Sequence, residues 1–175
     1  APYIKQGARA AAAGQWEDAH AEYSIAWSID HSWEIAAGLG KAAYKTQHYA
    51  EALARLAFYL REAPASKVSP KERAEAEGWI QDAKAKTGTV VLKGPAGDDV
   101  LVDGEDAGKT PLAEPIVLDP GKHKVEVRRG AQGETRIAEI TAGARVELDF
   151  TPPKAAPPTT VIVKEEGILT PAVRT

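Results

Sequence analysis

The sequence predicts an α + β protein whose two structural classes form separate domains, an all-α helical repeat followed by a small all-β sandwich. Apolar residues follow the helical period of 3.6 in the first half and the strand period of two from Thr89 onward. The first half also repeats itself after 33 residues, the shift that aligns Gly7 with Gly40. We therefore expect a helical domain over 1–87, a β domain over 88–150, and a proline-rich linker and extended tail over 151–175.

The helical half is rich in alanine and has no proline between Pro2 and Pro64, so strong helix formers dominate it. Small residues recur where two antiparallel helices would approach closely, and large residues recur beside them. The aligned pairs are Gly7 and Gly40, Trp16 and Tyr49, Ala19 and Ala52, Tyr23 and Leu56, and His31 and Pro64. This repeat predicts two helix pairs.

The motifs of the two copies resemble tetratricopeptide repeats. The turn and the start of each second helix read Gly-Gln-Trp-Glu-Asp-Ala at 14–19 and Gln-His-Tyr-Ala-Glu-Ala at 47–52, and a Leu-Gly pair lies at 39–40. The first copy departs from the family at Gln6, where Leu is usual, and at His31, where Pro is usual. The resemblance implies a groove that holds an extended peptide or a partner helix.

A terminal helix over 69–86 is expected to cap the repeat, because such arrays need a polar end. Ser69 and Glu72 have the spacing of a capping box, and Pro70 stands between them at the first helical position. An apolar stripe is expected to face the repeat. Its members are Ala74, Trp79, Ile80 and Ala83. About five helices are therefore predicted in all.

Basic side chains on the first helices are the candidates for partner binding in the helical domain. They are Lys5, Arg9, Lys41 and Lys45. Family members that clamp a terminal carboxylate use lysine, arginine and asparagine there, but this chain has no asparagine. These four residues therefore predict a weakly basic peptide or anion site, with solvated helix faces as the alternative.

Six short apolar runs separated by glycine-containing and proline-containing turns follow Gly88. They cover 89–92, 100–102, 116–118, 124–127, 135–140 and 145–150. Six or seven strands in so short a segment predict a small sandwich or an open barrel.

The turns of this half carry a specific set of motifs. Pro-Ala-Gly-Asp lies at 95–98, Asp-Gly at 103–104, Gly-Lys-Thr-Pro at 108–111 and Pro-Gly-Lys-His at 120–123. In this order and spacing they resemble the PEGA domain family, over residues 88–150. The resemblance implies a cell-envelope setting and a binding or spacer role.

Two features of the β half resemble a catalytic site and a metal site. His123 follows a Pro-Gly turn, and we expect it to pack against that turn or bond to it rather than to serve catalysis. Five acidic residues cluster over two turns without the spacing of a calcium loop, so we expect a solvated acidic rim. They are Asp98, Asp99, Asp103, Glu105 and Asp106.

The tail combines a stiff Pro-rich linker with apolar residues that could pair with a sheet edge or bind a partner's groove. The apolar candidates are Val161, Ile162, Val163, Ile168 and Leu169.

Composition excludes several function classes. The chain lacks cysteine, which excludes thiol catalysis and disulfides, and its net charge of −3 disfavours nucleic acid as a partner. Histidines lack ligand spacing, and no cofactor loop or nucleophile motif is present, so we expect no metal, no cofactor and no enzymatic activity. No apolar run is long enough to span a membrane, although association with one stays open.

The sequence thus favours a non-enzymatic interaction or scaffolding subunit of a bacterial cell-envelope assembly, bound to one or more protein partners. The alternative is a cell-wall or polysaccharide-binding module acting through the β domain. The first residue is Ala1 rather than Met. Such a start is typical of an exported periplasmic or envelope protein after removal of a signal peptide, and also of a sequence whose beginning was left out.

Overall fold

A computed structural model describes residues 2–152. Its first half consists of five helices, as predicted. They are α1 (Pro2–Ala12), α2 (Trp16–Ile29), α3 (Trp33–Lys45), α4 (Tyr49–Glu62) and α5 (Pro70–Lys86). Each helix packs against the next one in the chain. Local contacts of this kind between successive helices are typical of a helical repeat.

Glycines allow the two helices of each pair to pack closely against each other. A Cβ atom at Gly7 would lie 3.0 Å from the ring of Tyr23, and one at Gly40 would lie 2.8 Å from Leu56. Both contacts join the small and large positions that the repeat predicts. Gly38, which the repeat does not single out, is tighter still, because a Cβ atom there would overlap the Tyr23 ring.

The capping box at the start of α5 is confirmed. The Ser69 side chain accepts a hydrogen bond from the Glu72 N–H (3.2 Å), and the Glu72 carboxylate accepts one from the Ser69 N–H (2.8 Å). Two donors at the N-terminus of the helix are therefore satisfied by local side chains.

The predicted stripe of α5 is wrong at one position. Ala74 is exposed, whereas Ala76 is 1% exposed and joins the helical core together with Trp79 and Ile80. Ala76 lies three, four and seven residues before Trp79, Ile80 and Ala83, which is the spacing of a single helix face. Ala74 lies about 200° around the helix from Ala76, on the solvent side.

The second half is a β-sandwich of two sheets with seven strands. The strands are β1 (Gly88–Lys93), β2 (Asp99–Val102), β3 (Glu105–Lys109), β4 (Ile116–Leu118), β5 (Gly121–Arg129), β6 (Gln132–Ile140) and β7 (Arg145–Asp149). One sheet has the order β4-β1-β7 and the other the order β3-β2-β5-β6. The β1–β7 pair is parallel, and the remaining pairs are antiparallel.

Two features of the strands differ from the prediction. The six apolar runs omit β3, because Glu105–Lys109 contains four exposed residues and one half-buried alanine. Asp103 and Gly104 form the two-residue loop before β3, with φ angles of 52° and 93°, which suit a type I′ hairpin. The runs also underestimate β5 and β6, whose charged ends extend the hairpin well beyond its apolar centre.

The two domains are joined directly, because Thr87 alone separates α5 from β1. Its hydroxyl donates to the carbonyl of Ala83 in α5 (3.2 Å), and its carbonyl accepts from Gly143 N–H in the β domain (2.8 Å). A Cβ atom on the next residue, Gly88, would lie 2.6 Å from Ile140. The junction is therefore packed on both sides.

A second connection joins the domains at the start of α4. The N-cap residue His48 makes no capping hydrogen bond with its side chain. Instead, Asp119, which follows β4, accepts a hydrogen bond from the Ala50 N–H at 2.9 Å. A carboxylate of the β domain thus caps a helix of the helical domain, where it also complements the helix dipole.

Among the described residues, no helix has both the length and the apolar character needed to cross a bilayer.

We predict that Gly38→Ala destabilises the protein, because the new methyl group would overlap the Tyr23 ring. Overpacking of this kind costs about 1–3 kcal/mol, which exceeds the helix propensity gained by alanine. Gly78→Ala is the matched control, since nothing lies within 4 Å of a Cβ atom at Gly78 in α5. The control is expected to gain about 0.5–1 kcal/mol. Urea unfolding measures both, and equal effects would contradict the close approach at Gly38.

We also predict that Asp119→Ala lowers the free energy of unfolding by about 1 kcal/mol, the usual cost of losing an N-cap. Asp119→Asn should retain most of the stability, because asparagine caps helices nearly as well as aspartate. Chemical unfolding monitored by circular dichroism compares the three proteins. Wild-type stability in Asp119→Ala would show that this interdomain cap contributes nothing.

Candidate functional site

The resemblance of the helical half to tetratricopeptide repeats predicts partner binding on the face formed by the first helices, α1 and α3, together with α5. Helix α3 contacts both α1 and α5, so it lies at the centre of the face. On α3, Tyr44 lies three residues after Lys41, and Lys45 lies four residues after it. Side chains with this spacing share one side of a helix.

Lys41 lies between two tryptophans. Its Nζ atom is 5.7 Å from the ring centroid of Trp16 and 5.4 Å from that of Trp79, within cation–π range. Lys45 Nζ lies 6.0 Å from the same Trp16 ring. Because Trp16 begins α2 and Trp79 belongs to α5, this cluster connects the first repeat, the second repeat and the capping helix.

A hydrogen-bonded network continues from this cluster towards the end of α5. The Tyr44 hydroxyl donates to Asp82 (2.6 Å), and Lys86 Nζ donates to the same carboxylate (2.7 Å). The hydrogen bonds from Lys86 and from Tyr44 lower the pKa of Asp82 below its ordinary value. The hydrogen bond to Asp82 is also the main cause that raises the pKa of Tyr44. Trp79 stacks on Tyr44 with ring centroids 5.8 Å apart.

A depression of about 180 Å³ lies beside the Lys41 cluster, between α3, α4 and α5. Lys41 and Trp79 form one part of its wall, and Glu72 and Glu75 form another. The depression is large enough for a single side chain. Its lining combines an aromatic ring with both signs of charge, a mixture suited to a polypeptide segment.

The structure brings together two of the four predicted basic residues. Lys41 and Lys45 meet at Trp16, whereas Lys5 and Arg9 are exposed on α1. Within residues 2–152 none of these four side chains forms a salt bridge, so their charges are available to a ligand. That they bind a partner stays a prediction. The apolar tail residues Val161, Ile162, Val163, Ile168 and Leu169 lie outside the described residues.

Sequence reasoning missed the aromatic part of this site. Trp16 and Tyr49 stand at equivalent repeat positions, where they are expected to fill space between helices, and Trp79 is expected in the apolar stripe of α5. Aromatic residues of the helical half suit peptide or helix recognition, but none of the three is among the predicted site residues. All three are half-buried, and each lies within cation–π range of a lysine. One sequence signal could have identified the cluster. Lys41 and Lys45 are spaced to share one side of a helix, and aromatic residues recur at equivalent positions of the two repeats.

His123 holds a turn of the β domain, as expected. One ring nitrogen lies 2.7 Å from Asp103 Oδ2 and the other 2.8 Å from the carbonyl oxygen of Asp119. Only the doubly protonated imidazolium can donate to both acceptors. Burial lowers the pKa of His123, but the bonds to Asp103 and Asp119 outweigh it, so the pKa is raised overall. Burial by itself would raise the pKa of Asp103. The hydrogen bonds from His123 and from the Lys124 N–H outweigh burial, so the pKa of Asp103 is lowered overall.

The expectation of a solvated acidic rim is wrong for Asp98. This residue is 5% exposed, and both of its carboxylate oxygens accept hydrogen bonds from Arg129, at 3.0 and 2.6 Å. The hydrogen bonds from Arg129 lower the pKa of Asp98. Asp99 pairs with Lys109, and Asp106 accepts a hydrogen bond from the Gly108 N–H (2.8 Å). The other four members of the cluster are exposed, as expected of an acidic rim.

Comparison with protein-family models matches residues 88–155 to the PEGA domain, the family whose turn motifs the β half carries. Neither the comparison with curated proteins nor the comparison with solved structures gave a match. The likeness of the helical half to tetratricopeptide repeats stays a prediction.

We predict that His123 makes the stability of the protein depend on pH above neutrality. Its pKa is higher in the folded chain than the ordinary value of about 6.5 in the unfolded chain. Its contribution is therefore fully present below pH 6.5 and is lost as the pH rises through the folded-state pKa. Urea unfolding of the wild type and of His123→Gln at pH 6 and pH 9 tests this. The difference in stability between the two proteins should shrink at pH 9. An unchanged difference would mean that the imidazolium is not the stabilising form.

Proposed function

We propose that this chain is a non-enzymatic interaction subunit of a cell-envelope assembly. In this proposal the α1–α3–α5 face binds a segment of a partner protein. The β domain acts as a spacer or as a second contact. An exported, periplasmic or envelope location belongs to the same proposal, and the PEGA match to residues 88–155 supports it.

One observation carries the proposal, the position of Lys41 between Trp16 and Trp79. Interfaces are enriched in aromatic residues that supply large contact areas at low entropic cost. Here two indole rings and a tyrosine lie half-buried around lysines that no carboxylate within residues 2–152 neutralises. A partner segment with acidic side chains would gain electrostatic complementarity at this position.

The absence of catalysis is part of the proposal and also has geometric support. Thr46 and His48 are 2.8 Å apart and could suggest a nucleophile and its base. The Thr46 hydroxyl, however, donates to the carbonyls of Ala42 and Ala43, which closes the end of α3. The His48 ring stacks on His20, whose own ring nitrogen bonds to Glu51 (2.7 Å). This arrangement orders the helix ends rather than activating a hydroxyl.

The alternative, a cell-wall or polysaccharide-binding module, receives support from the PEGA match but not from the surface of the β domain. Sugar sites often use exposed aromatic rings as platforms on which a sugar ring stacks. Phe150 is the only aromatic residue after Trp79 in the chain. It is 3% exposed, and the Arg136 guanidinium covers its ring at 4.8 Å. It is therefore a core residue and offers no stacking surface.

A capture experiment tests the proposed site. Immobilised wild-type chain should retain one stoichiometric protein from a native envelope extract, and Lys41→Glu combined with Lys45→Glu should weaken its binding at least about tenfold. The reason is that the reversed charges would repel an acidic partner. Lys122→Glu, on the exposed side of β5, is the matched control and should bind as the wild type does.

The outcomes separate the two functions. Equal retention by both charge variants would exclude the Lys41 cluster as the binding site. Failure of the wild-type chain to retain any protein, together with sedimentation of the chain with purified cell wall, would replace the adaptor function with the wall-binding one.

A further inference from the structure

A second surface lies away from the Lys41 cluster, where the two domains meet. It is a cleft of about 740 Å³ between α4, α5 and the β1–β4 edge of the sandwich. We call it the interdomain cleft and define it by Leu53, Ala54, Ala57, Ile80, Val117 and Ala144. It is several times larger than the depression beside Lys41. Its lining is largely aliphatic.

The apolar lining of this cleft is accessible to solvent. Val117 is 38% exposed, and Leu53 and Ile80 are half-buried. Val117 belongs to β4, a three-residue strand at the edge of its sheet that pairs only with β1 within the described residues. A concave aliphatic surface beside a sheet edge is suited to an extended apolar segment of polypeptide.

The length of chain that follows the sandwich is sufficient to reach this cleft. Strand β7 runs parallel to β1 and ends beside Lys93, so Pro152 lies at the end of the sheet opposite Thr89 and the cleft. From Pro152 the return to the level of Thr89 and Val117 covers seven strand residues, or ~23 Å, and crossing two strands to β4 adds ~10 Å at a right angle. The direct distance is therefore ~25 Å. The nine residues from Pro152 to Val161 span ~28 Å as a proline-rich extended linker.

The composition of that segment also matches the cleft. Val161, Ile162 and Val163 form an uninterrupted aliphatic run, and Glu165 and Glu166 follow it closely. Lys84 lies on the rim of the cleft and forms no salt bridge within residues 2–152. Glu114 also lines the cleft, so its rim carries one charge of each sign, and the acidic pair would have to lie on the α5 side, beside Lys84.

We propose that the interdomain cleft binds residues 161–163 of the same chain. Covalent attachment through a linker long enough to span the distance raises the effective concentration of this segment at the cleft, which a separate partner would have to exceed. The cleft is then a docking site for the chain's own tail. It is distinct from the face proposed for the partner protein, so either proposal can fail without the other.

The natural absence of cysteine allows a direct test in the full-length chain. Val117→Cys combined with Ile162→Cys should form an intramolecular disulfide under mild oxidation. The control combines Ile137→Cys with Ile162→Cys, because Ile137 is the exposed aliphatic residue of β6 (60% exposed). Ile137 adjoins Arg136, which touches Phe150, so random collisions of the tail would favour the control. We expect the Val117 pair to close at least about tenfold faster, because docking raises the local concentration of the thiol.

Two outcomes would overturn the proposal. Equal or slower closure of the Val117 pair would mean that the tail does not bind the cleft. Disulfide-linked dimers in place of monomers, at micromolar concentration, would mean that the cleft takes the tail of a second copy.

Hydrogen exchange gives a test that needs no cysteine. Ile162→Asp in the full-length chain should increase the exchange of amides in α4 and β4 around Leu53 and Val117. Ala155→Asp, in the linker, should leave them unchanged. Identical exchange in the two variants would overturn the proposal even if both proteins fold normally.

Discussion

Asp119 accepts a hydrogen bond from the start of α4 and so fixes the β domain against the helical domain at a point far along the chain from Thr87. Two attachments constrain the domains more strongly than one, because a single covalent junction would leave them free to rotate. His123 donates to the carbonyl of Asp119 and to the carboxylate of Asp103. The Asp-Gly and Pro-Gly-x-His turns of the β domain thereby determine the orientation of the carboxylate that caps α4.

This constraint explains why the molecule has two different surfaces. The α1–α3–α5 face is polar and aromatic, with Lys41 between two indoles. It is formed entirely by residues of the helical domain. The interdomain cleft exists only because α4 and β4 are held beside each other. Its apolar lining, including Val117, would otherwise be exposed on two separate domains. An extended polypeptide suits both surfaces, but the first favours acidic side chains and the second aliphatic ones.

Much of the fold could be predicted because its determinants are local. The capping box of Ser69 and Glu72 depends on four consecutive residues, and the PEGA motifs lie at turns whose geometry the turn residues themselves impose. Strand β3 was not predicted because it has no apolar period. Ala74 was expected in the stripe in place of Ala76 because a small residue does not by itself mark the buried face of a helix, although the two lie on opposite sides of α5. The candidate site was predicted only in part. Lys41 and Lys45 follow from helical spacing, but their aromatic neighbours come from helices 25 or more residues away in the chain.

The sequence by itself determined the two domains, the five helices and the turn chemistry of the sandwich, because periodicity, capping and glycine placement act over a few residues. Only the tertiary structure decided that Asp98 is buried against Arg129, that Asp119 caps α4, and that Lys41 lies between Trp16 and Trp79. Each of these pairs joins residues more than 20 positions apart. Such pairs form when packing places two side chains at one point in space, and no local pattern in the chain encodes that distance.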